Sequence, residues 1–223
     1  MLGHDIPSVS TIPISHRIDI STLPPREAIA PSFIGREQEI DVLKKWIIDP
    51  ETKLWLLAGD GGKGKTAIAY EFASRISNDP PTGIELIIWL SAKKRKFTFG
   101  QIVQTEANFY NLESALDMVL EAYGENVLEY SNINTKESRV VEYLSLLPAL
   151  IILDDVDSLE GEGIDAMNFF MFRLYRTTSK ILLTSRRVTH FGMEPFTTQV
   201  EGFTKNSVDG ASFVDSRIEM FAL

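Results

Sequence analysis

The eight residues Gly59–Thr66, "GDGGKGKT", constrain this chain more than any other stretch of it. They follow the apolar run "KLWLLA" and precede "AIAYEFASRI", which predicts a turn between a buried strand and a helix. The pattern G-x-x-x-x-G-K-[ST] in that place forms a loop whose backbone N–H groups turn inward around a phosphate. Its glycines, Gly59, Gly61, Gly62 and Gly64, bring no Cβ atoms to obstruct that approach. A helix opening near Lys65 adds the positive end of its dipole. Lys65 is expected to reach the β- and γ-phosphates, and Thr66 to hold Mg²⁺ through its hydroxyl. Lys63 is not the motif lysine and reads as an exposed residue of the loop.

A phosphate loop needs a metal partner, and "ALIILDDVDS" supplies one. Its apolar run ends in Asp154, which puts a carboxylate at the tip of a buried strand, where it can orient Mg²⁺. Asp155 follows and points elsewhere, so it is the candidate general base for an attacking water. The blander alternative is an acidic turn capping the next helix, with Asp157 as a candidate cap. A third apolar strand, "KILLTSRR", ends at Arg186, a candidate contact for the γ-phosphate; otherwise Arg186 and Arg187 are solvated strand-end charges.

Apolar runs at 54–58, 86–91, 149–154, 181–185 and 197–201 are expected to be strands. Helical patterns occupy 36–49, 65–76, a pair across 100–124, then 135–147 and 163–176, with a loop at 124–135. Alternation of this kind predicts an α/β domain whose parallel sheet carries helices on both faces. Residues 1–31 hold five of the ten prolines and read as a linker or arm on the surface. Residues 204–223 read as one helix with an unpartnered apolar face, as at the start of a truncated helical subdomain.

The chain of 223 residues has no cysteine, which excludes disulfides and thiolate metal sites. His4, His16 and His190 show no ligand spacing. A net charge of -9 argues against sequence-independent nucleic-acid binding through this surface. No apolar stretch approaches the about 20 residues of a membrane span, and no leader pattern opens the chain, so a cytoplasmic location is expected. The run "KKRK" (93–96) reads as a solvated charge cluster, with a contact to an acidic neighbour or nucleic acid as its alternative. Arg173 and Arg176 read as helix-face charges, or else as a finger acting on a neighbouring subunit.

The order "FIGREQEI", "GDGGKGKT", "IIWLSA", "LIILDDVD", "LLTSRR" resembles the nucleotide-binding domain of STAND-class ATPases, and within that class the NB-ARC group. The resemblance covers about residues 31–203. It implies a three-layer P-loop NTPase domain of five parallel strands, with the "LLTSRR" strand between the phosphate-loop strand and the Asp154 strand. It also implies an ATP/ADP switch that hydrolyses ATP slowly and controls self-association in a signalling or defence protein. Phe33 and Ile34 would pack on adenine and Arg36 would add a polar contact; read from the residues alone, this box is a staple opening the 36–49 helix. The nucleotide set is then Phe33, Ile34, Arg36, Gly59, Gly61, Gly62, Lys63, Gly64, Lys65, Thr66 and Ala67, with Thr66 and Asp154 for the metal and Lys65, Asp155 and Arg186 for chemistry. The separation of Lys65 from Asp154 is long for the group and fits an inserted helix or loop around 110–135. Two rivals remain: an AAA+ loader of the origin-recognition type, and a scaffold that keeps ADP without hydrolysis. The loader class favours Asp-Glu where this chain has Asp154-Asp155.

Overall fold

The computed structural model describes residues 21–92, 95–98, 101–104, 108–187 and 196–202. In chain order the elements are α1 (Arg26–Ile29), α2 (Glu37–Ile47), β1 (Leu54–Ala58), α3 (Lys65–Asn78), β2 (Leu86–Ser91), β3 (Arg95–Thr98) and β4 (Gln101–Gln104). They continue with α4 (Leu112–Ala122), α5 (Ile133–Leu146), β5 (Ala149–Asp154), α6 (Gly163–Arg173), β6 (Lys180–Ser185) and β7 (Phe196–Gln199). The first twenty residues of the arm expected at 1–31 and the helix expected at 204–223 lie outside the described residues, as do His4, His16 and His190.

Strands β2, β5, β6, β1 and β7 form one sheet in that order, and every pairing in it is parallel. The β6 strand therefore lies between the phosphate-loop strand β1 and the Asp154 strand β5, as the resemblance implied. A parallel sheet with helices over both faces buries alternate strand residues in opposite directions, so its strands read as continuous apolar runs. One face sends Leu56, Leu90, Leu153 and Leu183 into a core closed by α4, α5 and α6. The other sends Leu57, Trp89, Ile152 and Leu182 into a core closed by α2 and α3.

The pair of helices expected across 100–124 is corrected: one helix, α4, lies there, and before it β3 and β4 pair antiparallel. The cause is legible in "RKFTFGQIVQ", two short runs with aromatic and β-branched residues separated by Phe-Gly, a hairpin composition rather than a helical one. Helix α4 starts where Asn111 and Ser114 form a reciprocal capping box. The expected loop at 124–135 contains a 3₁₀ turn at Val127–Glu129, and α5 begins within it at Ile133, behind Asn132 as N-cap.

Residues before α2 cling to the sheet. Ser21 bridges to Ile87, the Thr22 N–H donates to the Ile87 carbonyl (3.1 Å), and the Trp89 N–H donates to Thr22 Oγ1 (2.7 Å). Arg26 pairs with Glu71 on α3 at 2.8 Å and lies over the Tyr70 ring. This segment covers the outer edge of β2, which would otherwise present unpaired backbone groups.

Candidate functional site

The parallel order brings the C-terminal tips of β1, β5, β6 and β2 to one edge of the sheet, the place where open α/β sheets bind ligands. The chain leaves β1 through Gly59, whose φ of +149° is open to glycine alone. A Cβ there would lie 2.3 Å from the Val200 carbonyl oxygen, so the loop and the exit of β7 are in direct contact. Gly61, Gly62 and Gly64 carry nothing within 4 Å of a Cβ position, which leaves the mouth of the loop open. Gly64, at φ +89°, caps α3, and the first intrahelical bond is Ile68 N–H to the Gly64 carbonyl (2.9 Å). The N–H groups of Lys65, Thr66 and Ala67 thus precede any helical acceptor, as an anion site requires.

Lys65 is 8 % exposed, and its ammonium donates to the carbonyls of Gly59 (2.6 Å) and Asp60 (2.8 Å). Burial pulls its pKa below the usual lysine value; Asp157, then Asp155 and Asp154, oppose that pull. Asp154 is 1 % exposed and collects three elements. Its Oδ1 accepts from Thr66 Oγ1 (2.8 Å) and Thr184 Oγ1 (2.7 Å), and its Oδ2 from Ser91 Oγ (3.3 Å). The described residues contain no cluster of three His, Asp or Glu side chains fit to hold a metal. One hydroxyl and one carboxylate suit Mg²⁺, which takes few protein ligands and completes its shell with phosphate oxygens and water. The donor set therefore fits a Mg·nucleotide.

Asp155 sits at φ +58°, uncommon for a residue with a side chain and the kind of strain that gathers at functional sites. Its N–H donates to Thr184 Oγ1 (2.8 Å), and Ser158 Oγ donates to its Oδ2 (2.6 Å). Oδ1 faces the Arg186 Nε at 3.9 Å. The Arg186 side chain is 61 % exposed, at the mouth of the loop's edge of the sheet. Asp157 does not cap α6: its carboxylate turns to the tip of β6 and accepts from the Arg186 N–H.

The "FIGR" box divides. Phe33 packs on the α2–α3 core, while Ile34 is 49 % exposed. Arg36, at φ +66° before α2, pairs with Glu39 (2.8 Å) and donates to the carbonyls of Lys63 (3.2 Å) and Glu201 (2.6 Å). One guanidinium thus ties the box, the phosphate loop and the exit of β7 together. Lys63 is half-buried beneath that clasp rather than exposed. Arg173 and Arg176 lie elsewhere, with Ser138, Val141 and Phe172 around a cavity of about 490 Å³ between α5 and the end of α6. The side chains of the "KKRK" run lie outside the described residues. Sequence reasoning did not single out Thr184, Ser91, Ser158 or the role of Asp157. All stand at or just beyond the strand tips, a signal that becomes usable once the strand order is known.

The NB-ARC domain model matches residues 36–206, most of the chain and all of this site but Phe33 and Ile34. The chain belongs to the NB-ARC domain family. An NB-ARC domain is a P-loop ATPase-type module. An uncharacterized WD repeat-containing protein of Nostoc sp. is 28% identical over 137 residues, which are 59% of this chain and 10% of that protein. Among solved structures, Cdc6p from Pyrobaculum aerophilum superposes with a TM-score of 0.55 at 13% identity, covering 82% of this chain and 51% of its own. The Aeropyrum pernix ORC1 protein, solved in complex with DNA, gives a TM-score of 0.56 at 19% identity, covering 83% and 51%. At those identities the likeness is one of fold. The chain spans about a tenth of the curated relative and half of each solved structure. No helix among the described residues is long and apolar enough to cross a membrane.

Proposed function

We propose that this NB-ARC domain is the ATP/ADP switch of a STAND-type regulatory protein of signalling or defence, acting in the cytoplasm and controlling self-association of the full-length molecule. The reading is carried by one observation. The ligands of the phosphate tail come from separate strands, and the one suited to the γ-phosphate, Arg186, stands exposed with its Nε 3.9 Å from Asp155 Oδ1. ATP gives that guanidinium a partner that ADP lacks, so the two nucleotides differ in how they hold the tip of β6. A nucleotide shifts a conformational equilibrium only through such a difference.

Lys65 and the first turn of α3 bind the β- and γ-phosphates. Thr66 and Asp154 would hold Mg²⁺, which screens the charge that gathers on the phosphate oxygens. Asp155 Oδ1 accepts the proton of an attacking water, while Ser158 keeps the other oxygen fixed. Turnover is slow, well below the enzyme median of about 10 s⁻¹, because Arg173 and Arg176, the candidate fingers, line a cavity away from the phosphate loop. Phe33, Ile34 and Arg36 frame the adenine. The partners are nucleotide and further copies of the protein, and nucleic acid is no ligand of this domain.

Two substitutions in the full-length protein test the switch. Lys65→Ala loses the nucleotide and is silent. Asp155→Asn keeps the phosphate contacts, traps ATP and is constitutively assembled. Assembly is measured by light scattering beside bound nucleotide. Equal loss of assembly in both variants, with ATP trapped in Asp155→Asn, overturns the reading.

A further inference from the structure

After β5 the chain makes a tight 3₁₀ turn, Val156–Ser158, entered through the left-handed backbone of Asp155. That turn sends two carboxylates to different places. Asp155 folds back onto Ser158 Oγ, whereas Asp157 reaches the tip of β6. Oδ2 of Asp157 accepts from the Arg186 N–H, and Oδ1 lies 2.9 Å from Ser185 Oγ. The Ser185 hydroxyl has one proton to give, and the Arg187 carbonyl also receives it at 2.6 Å, so the Arg186 amide is the contact that fixes the geometry. From the other side, the Gly59 N–H donates to the Ser185 carbonyl at 3.2 Å. The peptide that presents Arg186 is therefore gripped between the phosphate loop and Asp157.

A carboxylate beside a phosphate site is electrostatically expensive, and Asp157 leads the acids that act on the Lys65 ammonium. Its contact with the Arg186 amide gives it a task. Among the described residues the Arg186 guanidinium has one distant ion pair, to Asp155, so the backbone largely sets its direction.

We propose that Asp157 is the positioning residue of Arg186, and through it determines the preference of this site for ATP over ADP. This rests on the reading of Arg186 as the γ-phosphate contact. Asp157 touches neither the nucleotide nor the attacking water. It holds the amide from which the arginine projects.

The test is a double-mutant cycle on the complete chain with Mg²⁺ present, measuring ATP and ADP affinity by competition with a fluorescent nucleotide. Arg186→Ala is expected to weaken ATP by about tenfold, the scale of one charge-assisted hydrogen bond, with ADP unchanged within about twofold. Asp157→Ala gives the same selective loss, and the double variant is no weaker for ATP than Arg186→Ala alone. Asp157→Asn keeps one acceptor oxygen, gives an intermediate ATP/ADP ratio, and carries the test if the alanine variant does not fold. A change confined to folding moves both nucleotides together. If Arg186→Ala shifts the ratio and neither Asp157 variant does, or if the losses add, the positioning role is wrong and the arginine reading stands. If Arg186→Ala leaves the ratio unchanged, both fall.

Discussion

Lys180 opens β6, and its replacement by methionine measures what anchors the base of that strand. The side chain is 4 % exposed, and its ammonium donates to the carbonyls of Asp49 and Thr52 (2.6 Å), with Trp46 O at 3.4 Å. These carbonyls end α2 and lead to β1, so the charge also faces the negative end of a helix dipole. The three acceptors do not suffer equally. Trp46 O keeps the Asp49 N–H (3.0 Å), and Thr52 O keeps the Trp46 indole N–H (3.1 Å). Asp49 O loses the donor it has among the described residues. Orphaning that carbonyl and weakening the Thr52 contact costs about 3 kcal/mol, and relief of the ammonium's desolvation returns part, for a net loss of about 2 kcal/mol. Urea unfolding at pH 7 would show the midpoint lowered by about 1 M at an unchanged slope.

The pH dependence has a definite sign. Burial pulls the Lys180 pKa down to about 8, below its unfolded value. Above pH 8 the unfolded chain holds more protons at this position, so its contribution to stability rises with pH. The neutral amine still donates to Asp49 and Thr52. The gap between wild type and Lys180→Met should widen from pH 7 to pH 9.5. A variant as stable as wild type at pH 7, or a gap that closes above pH 8, refutes the account.

Three further outcomes are expected. Gly59→Ala should lose about 2–3 kcal/mol in thermal or urea unfolding, since its Cβ would meet the Val200 carbonyl at 2.3 Å, whereas Gly61→Ala, in open space, should stay within about 0.5 kcal/mol. ATP affinity should fall as pH rises toward the depressed pKa of Lys65, because the charged form binds phosphate; titrations at pH 7.5, 8.5 and 9.5 should show this in wild type and a flat, weak profile in Lys65→Met. Asp154→Asn keeps an acceptor for Thr66 and Thr184 but removes the charge, so nucleotide binding without Mg²⁺ should persist while the enhancement by Mg²⁺ is lost in paired calorimetric titrations.

Much of the site was legible because its signals are local. The phosphate loop is one contiguous stretch, and the apolar run of β5 ends in Asp154, a charge that a buried strand tip keeps only with partners of its own. The hairpin β3–β4 departs from the expected helix because short runs with Phe97, Ile102 and Val103 carry no decisive period of their own. Thr184 and Ser91 are ordinary strand-end residues until the sheet order places both on Asp154. Arg36 is expected at the base, and its main-chain partners on the phosphate loop and at residue 201 lie at separations that no local pattern encodes. Lys180 gives no local sign either, since its acceptors lie more than a hundred residues away.

The clasp between Arg36 and the Glu201 carbonyl also ties the start of α2 to the far end of the sheet. Residues 165 positions apart meet at 2.6 Å, so the start of α2 and the exit of β7 are held at one point. Closing so large a loop is entropically costly, by a term that grows with the logarithm of its length. That favours late formation of the contact in folding, after the sheet has drawn its ends together. Because the pairing of β7 with β1 already holds those ends together, losing this one hydrogen bond opens no further loop and leaves the sheet as it is.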